Sequence, residues 1–183
     1  MAIPIEEIRR VLISKSTSQK IEVLSKLTDV DNNEIISEII KMLDDPEIRV
    51  RGEAFSTLVI NQKNISKILM DHLTSESNNI RGFSILVLAN RNDVTASKEI
   101  AKLTIDENSM VRSCALGALG HLKAKEFSKN IHDCFSDPNI EVKRSALYAA
   151  ISMDEKISLE NISKLRKEND DEIEKILKMQ KSL

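Results

Sequence analysis

The segment from Asp106 to Gly120, D-E-N-S-M-V-R-S-C-A-L-G-A-L-G, recurs along the chain, and this recurrence constrains the fold more than any other feature. With Val111-Arg112 as the reference, copies lie at Val50-Arg51, Ile80-Arg81 and Val142-Lys143, so successive basic positions are 30, 31 and 31 residues apart. A period between about 20 and 50 residues points to a solenoid of stacked repeats. Within each copy, apolar and small residues occupy the first, fifth, sixth and ninth positions: Val50, Ala54, Phe55 and Leu58, then Ile80, Ser84, Ile85 and Leu88, then Val111, Ala115, Leu116 and Leu119. That spacing places one stripe on an α-helix. The fifth position is always small (Ala54, Ser84, Ala115, Ala146), as suits a closely crossing neighbour.

A second stripe precedes each of these inner helices at the same period. Ile39, Leu69, Ile100 and Ile131 align, as do Met42, His72, Leu103 and Cys134, and Leu43, Leu73, Thr104 and Phe135. Each repeat therefore reads as a helical hairpin, outer helix then inner helix. One hairpin cannot bury both stripes, so hairpins must stack. The expectation is an all-α chain, an α-solenoid of about six stacked hairpins in one repeat domain over 1–183. The repeats fall at 4–28, 32–60, 64–90, 95–120, 125–152 and 158–181, the first and last being degenerate caps. Outer helices are expected near 64–74, 95–105 and 125–135, and inner helices near 77–90, 108–120 and 139–152.

Asp44-Asp45-Pro46 and Asp137-Pro138 stand between outer and inner helices. They suggest an aspartate cap followed by proline in the first helical position. Pro4 suits the first turn of the first helix in the same way. No Pro-rich linker interrupts the repeats.

An Asp six residues before an Arg, between two amphipathic helices, resembles the HEAT repeat, and the short period resembles its compact, phycobilisome-lyase-like variety. The acidic position holds Asp45, Ser75, Asp106 and Asp137; the basic one holds Arg51, Arg81, Arg112 and Lys143. The resemblance implies a right-handed superhelix and a hydrogen-bonded ladder between neighbouring repeats. In the first repeat Ser14 stands at the acidic position and Lys20 at the basic one. In the sixth, Glu174 replaces the Arg, and Lys178 and Lys181 replace core residues. This reads as loss of the ladder and a polar closing cap, against further repeats having been removed.

Charge is balanced, with 27 Lys and Arg against 29 Asp and Glu, and neither half is basic. That argues against a dedicated polyanion binder. Cys114 and Cys134 lie in no metal or redox spacing and read as reduced thiols in or near the core, which suits a reducing compartment. Two glutamates follow Pro4 where an export signal needs an apolar run, and apolar runs such as Ile85 to Ala89 are far too short to span a bilayer. The expectation is a cytoplasmic monomer without membrane contact.

Chemical motifs are sparse. The glycines, Gly52, Gly82, Gly117 and Gly120, all fall within or at the end of inner helices. Close helix packing explains them, or else a flat surface that admits a ligand. His72 reads as a half-buried packing residue, and His121 and His132 stand apart from it. No His-Glu pair occurs, which speaks against HEAT-type hydroxylase chemistry. No catalytic residue, metal ligand or cofactor site is expected. Asp44-Asp45 and Asp170-Asp171 read as helix caps or solvated turns.

The basic row Lys20, Arg51, Arg81, Arg112 and Lys143 imitates a phosphate-binding stripe. On the helical wheel, however, it lies about 40° from the centre of the apolar stripe, so its stems should be half buried and its charges paired with the acidic row. The better candidate is the opposite face of the inner helices, which the resemblance places on the concave side. Its most exposed rows are Ser25, Ser56, Leu86, Gly117 and Tyr148, and Ile60, Asn90, His121 and Ser152; Phe83 and Arg144 lie beside them. Aromatic and Arg anchors among small residues are what a peptide site offers, and gap filling between repeats is the competing explanation. The partner-binding candidates are Ser56, Phe83, Leu86, His121, Arg144 and Tyr148.

The favoured function is a non-catalytic scaffold or adaptor that binds a protein segment on this concave face. One alternative is a nucleic-acid-binding HEAT-like protein, which this face serves with little beyond Arg144 and Arg91. The other is a phycobilin-lyase-like enzyme subunit, for which no catalytic residue can be named.

Overall fold

The computed structural model describes residues 4–14 and 16–180, with the side chains of 179 and 180 left out. Lys181 lies outside the described residues. All regular elements among the described residues are helical, and the chain divides into two compact units, 1–91 and 92–183.

The first unit holds α1 (Ile5–Leu12), α2 (Thr17–Ser25), α3 (Asn33–Lys41), α4 (Ile48–Ile60), α5 (Ser66–Asp71) and α6 (Asn78–Asn90). These form three hairpins. Outer helix α3 packs against α1 and α5, and inner helix α4 against α2 and α6. Ile36, Ile39, Ile40 and Leu43 of the second outer segment are fully buried, together with Val50, Ala54 and Leu58 of α4 and Leu69 of α5. Each such Leu or Ile contributes about 1.5–3 kcal/mol.

The second unit holds α7 (Ser97–Lys102), α8 (Ser109–His121), α9 (Ser128–Asp133), α10 (Ile140–Ser152), α11 (Leu159–Arg166) and α12 (Asp171–Gln180). Inner helix α10 packs between α8 and α12. Inner helices α8 and α10 end in left-handed residues, Lys123 (φ 54°) and Asp154 (φ 57°). Beyond each, an amide reaches back to a carbonyl five residues earlier, Ala124 to Leu119 at 3.1 Å and Glu155 to Ala150 at 3.0 Å. This closes the exposed carbonyl end of the helix.

The inner helices of the third, fourth and fifth repeats begin and end within a residue of expectation, whereas the first, α2, ends at Ser25, short of the expected 28. The outer ones differ. In the third, fourth and fifth repeats they are not single helices but six-residue α-helices followed by a 3-10 turn (His72–Thr74, Leu103–Ile105, Cys134–Ser136), and in the fourth and fifth one precedes them as well. The tighter turn at each end lets the chain reverse quickly within a short hairpin.

The capping expectation is corrected in detail. Helix α10 starts at Ile140 and its N-cap is Asn139, whose Oδ1 accepts from the amides of Glu141 and Val142. Asp137 instead accepts from the Asn139 amide at 2.8 Å, and Pro138 lies between them, ahead of the helix. The same turn bond joins Asp45 to the Glu47 amide, Asp106 to the Asn108 amide, and, through hydroxyls, Ser14 to Ser16 and Ser75 to Ser77. The acidic position therefore sets the turn and, except at Glu47, the side chain two residues further on caps the helix.

The small fifth-position residues Ala54, Ser84, Ala115 and Ala146 are fully buried, as their helical register requires. His72 is half buried, its Nδ1 on the Ile68 carbonyl and its Nε2 on Ser37 Oγ. The glycines separate. A Cβ on Gly120 would lie 2.7 Å from Ala149 Cα, so α8 and α10 touch there. At Gly52 and Gly117 it would meet open space, which removes the packing explanation for those two.

Candidate functional site

The basic row is structural where its partners can be seen. Lys20 Nζ lies 2.6 Å from Asp45 Oδ2 in the next repeat, and Arg112 grips Asp137 with Nε and Nη2 at 2.7 and 2.8 Å. Lys143 Nζ pairs with Glu168. This last contact corrects the expectation that the sixth repeat loses its ladder: Glu168 lies 31 residues after Asp137 and takes its place. Glu174, at the lost basic position, pairs with Arg166 instead. The acidic pairs are likewise engaged, Asp44 with Asn79 and Asp170 with the Ile173 amide in the first turn of α12.

The inner-helix face is exposed along the rows that the sequence indicates. Ser25, Ser56, Ile60 and Asn90 are exposed in the first unit, and Gly117, His121, Tyr148 and Ser152 in the second. Of the six candidate residues, Ser56, Phe83 and Leu86 belong to the first unit and His121, Arg144 and Tyr148 to the second. Phe83 and Leu86, both half buried on α6, line a pocket with Ile48, Arg51, Gly52 and Phe55 of α4, of about 380 Å³. Ser56 is exposed on α4 outside that lining.

In the second unit Arg144 and Tyr148 are held at the start of α12. Arg144 forks onto both oxygens of Asp170 and also pairs with Glu141; the Tyr148 hydroxyl donates to Glu172 at 2.6 Å. The Arg144 guanidinium and the Ile173 amide hold the Asp170 carboxyl at about 2, below the usual carboxylate range. His121 Nε2 lies 3.2 Å from Asn92 Oδ1. All three residues thus have intramolecular partners, and those of Arg144 and Tyr148 become visible only once α12 is placed.

The pocket itself was half legible. Phe83 and Leu86 stood out as large residues on a small-residue face, whereas Phe55 looked like core and Ile48 gave no signal. In the structure Ile48 is 70% exposed, an isoleucine left in water at the pocket edge.

The arginines on which a nucleic-acid reading depends are engaged. Besides Arg144, the Arg91 guanidinium donates to the carbonyls of Leu58, Val59, Asn61 and Lys63, closing the C-terminal end of α4. Burial pushes the thiols of Cys114 and Cys134 up to about 11, so both stay protonated at neutral pH. Among the described residues no cluster of His, Cys, Asp or Glu is placed to hold a metal ion, and no helix is long and apolar enough to cross a membrane.

Comparison with known proteins accords with this geometry. Residues 66–152 match the family model described as HEAT repeats. Among solved structures, the chain is similar to a computationally designed armadillo repeat protein for modular peptide recognition (16% identity, TM-score 0.56, 98% of this chain and 99% of that one). It is also similar to a designed armadillo repeat protein in complex with the peptide (KR)4 (16% identity, TM-score 0.54, 96% and 97%). A third likeness is to the complex of CpcE and CpcF of phycocyanin lyase from Nostoc sp. PCC7120 (18% identity, TM-score 0.56, 84% of this chain and 66% of that one). No curated protein matches the sequence significantly. At these identities the structural likeness is one of fold. The match to HEAT repeats is confined to residues 66–152, and the chain has the all-helical solenoid fold shared by HEAT and armadillo proteins.

Proposed function

We propose that the chain is a non-catalytic interaction module that binds a protein segment on its inner-helix face, the face that the HEAT resemblance puts on the concave side. The anchoring point is the pocket between α4 and α6, which takes a large apolar side chain of the partner. One observation carries this reading: an apolar pocket of about 380 Å³, walled by Ile48, Phe55, Phe83 and Leu86, is open on the face that otherwise carries small and polar residues. A large apolar residue in a desolvated pocket is the usual energetic centre of a peptide interface. The likeness to designed armadillo proteins, one of them solved with a peptide, supports a binding role for such a scaffold.

The test is selection of a random peptide library on the wild-type protein and on Leu86→Asp. The substitution puts a charge on the pocket wall at a position that is already partly exposed. Peptides sharing a large apolar residue should be enriched on the wild type and should not bind the variant, whose helical circular dichroism stays unchanged. Failure to enrich any peptide, or equal binding to the variant, would overturn the proposal.

A further inference from the structure

The basic positions follow a rule with one exception inside the first unit. The base of one repeat reaches the acid of the next, as Lys20 reaches Asp45, Arg112 reaches Asp137 and Lys143 reaches Glu168. The acid for Arg51 should stand at position 75, where the sequence has serine. Ser75 keeps half of the aspartate's work: its hydroxyl accepts from the Ser77 amide at 3.3 Å and so preserves the turn. It has no charge to offer. Arg51 therefore bonds through Nη1 to the carbonyls of Asp45 and Pro46, and it makes no ion pair among the described residues. Its Nε and Nη2 are left without a carboxylate. The nearest ladder acid, Asp45, is already occupied by Lys20.

This same guanidinium lines the α4–α6 pocket. An apolar pocket edged by a cation without a counter-charge favours an apolar group that adjoins an anion. We infer that the pocket recognises an acidic-hydrophobic element within a partner protein: a large aliphatic or aromatic side chain in the pocket, with a neighbouring Asp or Glu carboxylate on Nε and Nη2 of Arg51. The partner thus supplies the rung that Ser75 omits. Arg112 and Asp137 show, within this chain, how an arginine at this position grips a carboxylate with the same two nitrogens. A forked pair of this kind adds direction as well as strength, because the planar guanidinium matches the carboxylate edge to edge. The inference rests on the peptide-binding proposal and adds the charge of the ligand to it.

The test uses peptides selected on the wild-type chain, each remade with its acidic residues changed to the amides, and 3-phenylpropionate against 3-phenylpropanamide as small probes followed by amide chemical shifts. Two variants are compared. Ser75→Asp supplies an internal carboxylate to Arg51 and leaves the pocket walls untouched; Arg51→Gln removes the charge. Selected peptides should carry Asp or Glu beside the apolar anchor, and changing acid to amide should weaken binding about tenfold, the usual effect of a charge-assisted hydrogen bond. The preference should shrink at high salt. In both variants acid and amide should bind alike, and the phenylpropionate shifts at Phe83 and Leu86 should fall to those of the amide.

Selected peptides without acidic preference, or a preference that survives both variants, would overturn the inference while leaving the peptide-binding proposal standing. Peptides that bind only through a free C-terminal carboxylate would overturn the assignment to an internal acidic residue. If no peptide is selected, both proposals fall.

Discussion

Arg112 clasps Asp137 with two hydrogen bonds, one to each carboxylate oxygen, while its third nitrogen, Nη1, donates to the carbonyls of Asp106 and Glu107. One side chain thereby ties the turn of its own repeat to the turn of the next. The side chains are only 12% and 8% exposed, so each charge depends on the other. Burial works against the Asp137 carboxylate, yet the Arg112 guanidinium and the Asn139 amide hold its pKa below the ordinary value.

The first prediction tests that dependence. Asp137→Asn retains an acceptor for the Asn139 amide but leaves the Arg112 charge half buried without its partner. Removing one member of such a pair should cost on the order of 3 kcal/mol in urea unfolding. Arg112→Lys keeps the charge and loses the fork, and should cost about 1 kcal/mol. A loss from Asp137→Asn no larger than that from Arg112→Lys would mean that solvent screens the pair.

A second prediction concerns pH. Both Asp137 and Asp170 have folded-state pKa values below those of an unfolded chain, Asp170 at about 2, chiefly through its hydrogen bond from Arg144. For a depressed carboxylate the folded state holds fewer protons than the unfolded state between the two pKa values. The stabilisation is therefore complete above the unfolded value of about 4 and is lost as pH falls toward 2. Thermal unfolding of the chain should be flat from neutrality down to about pH 5 and then shift downward. Asp170→Asn should flatten part of that slope, and an unchanged slope would refute the assignment.

Much of the architecture could be read from the repeat because its signal is the burial of whole stripes. Val50, Ala54 and Leu58, or Val111, Ala115 and Leu119, are in register on one face and all are buried. The expected exposed rows are also exposed, apart from the half-buried Leu86, since they are the opposite face of the same helices. What periodicity could not convey was pairing and local turn chemistry. Asp137-Pro138 carries the composition of a helix start, but Asn139 competes for the cap and wins by lying one residue before the helix. Arg144 and Tyr148 look like free anchors until Asp170 and Glu172, 26 and 24 residues on, reach them. The pocket escaped because Phe55 belongs to the apolar stripe by position yet is only half buried, and because Ile48 precedes the repeat's recognised core.

Capping supplies a third prediction. Helices α6, α8 and α10 are capped by the side chains of Ser77, Asn108 and Asn139, whereas Glu47 before α4 makes no cap bond. Asp45-Pro46-Glu47 otherwise matches Asp137-Pro138-Asn139, down to the turn bond from residue 47 to Asp45 at 2.9 Å. Glu47→Asn should therefore cap α4 and stabilise the chain by about 1 kcal/mol. Urea denaturation measures it, and an unchanged midpoint would show that the α4 amides find other acceptors.

The glycines give the last prediction, because α8 carries one of each kind. A methyl group on Gly120 would press 2.7 Å from Ala149 Cα and 3.0 Å from its Cβ, both on the neighbouring helix α10. Backbone cannot yield as a flexible side chain can, so Gly120→Ala should cost about 1–3 kcal/mol by forcing the helices apart. On Gly117 the same methyl meets nothing within 4 Å. Gly117→Ala should then gain up to about 1 kcal/mol, the ordinary preference of a helix for alanine. Equal effects at the two sites would remove the close approach of α8 and α10 as the reason for Gly120. Gly52 resembles Gly117 in having open space around it, but its space is the α4–α6 pocket. Gly52→Ala should likewise stabilise the fold, while Gly52→Leu, by filling the pocket, should abolish peptide binding without lowering the unfolding midpoint. On the proposed function, a glycine kept where alanine would be more stable leaves room for a ligand.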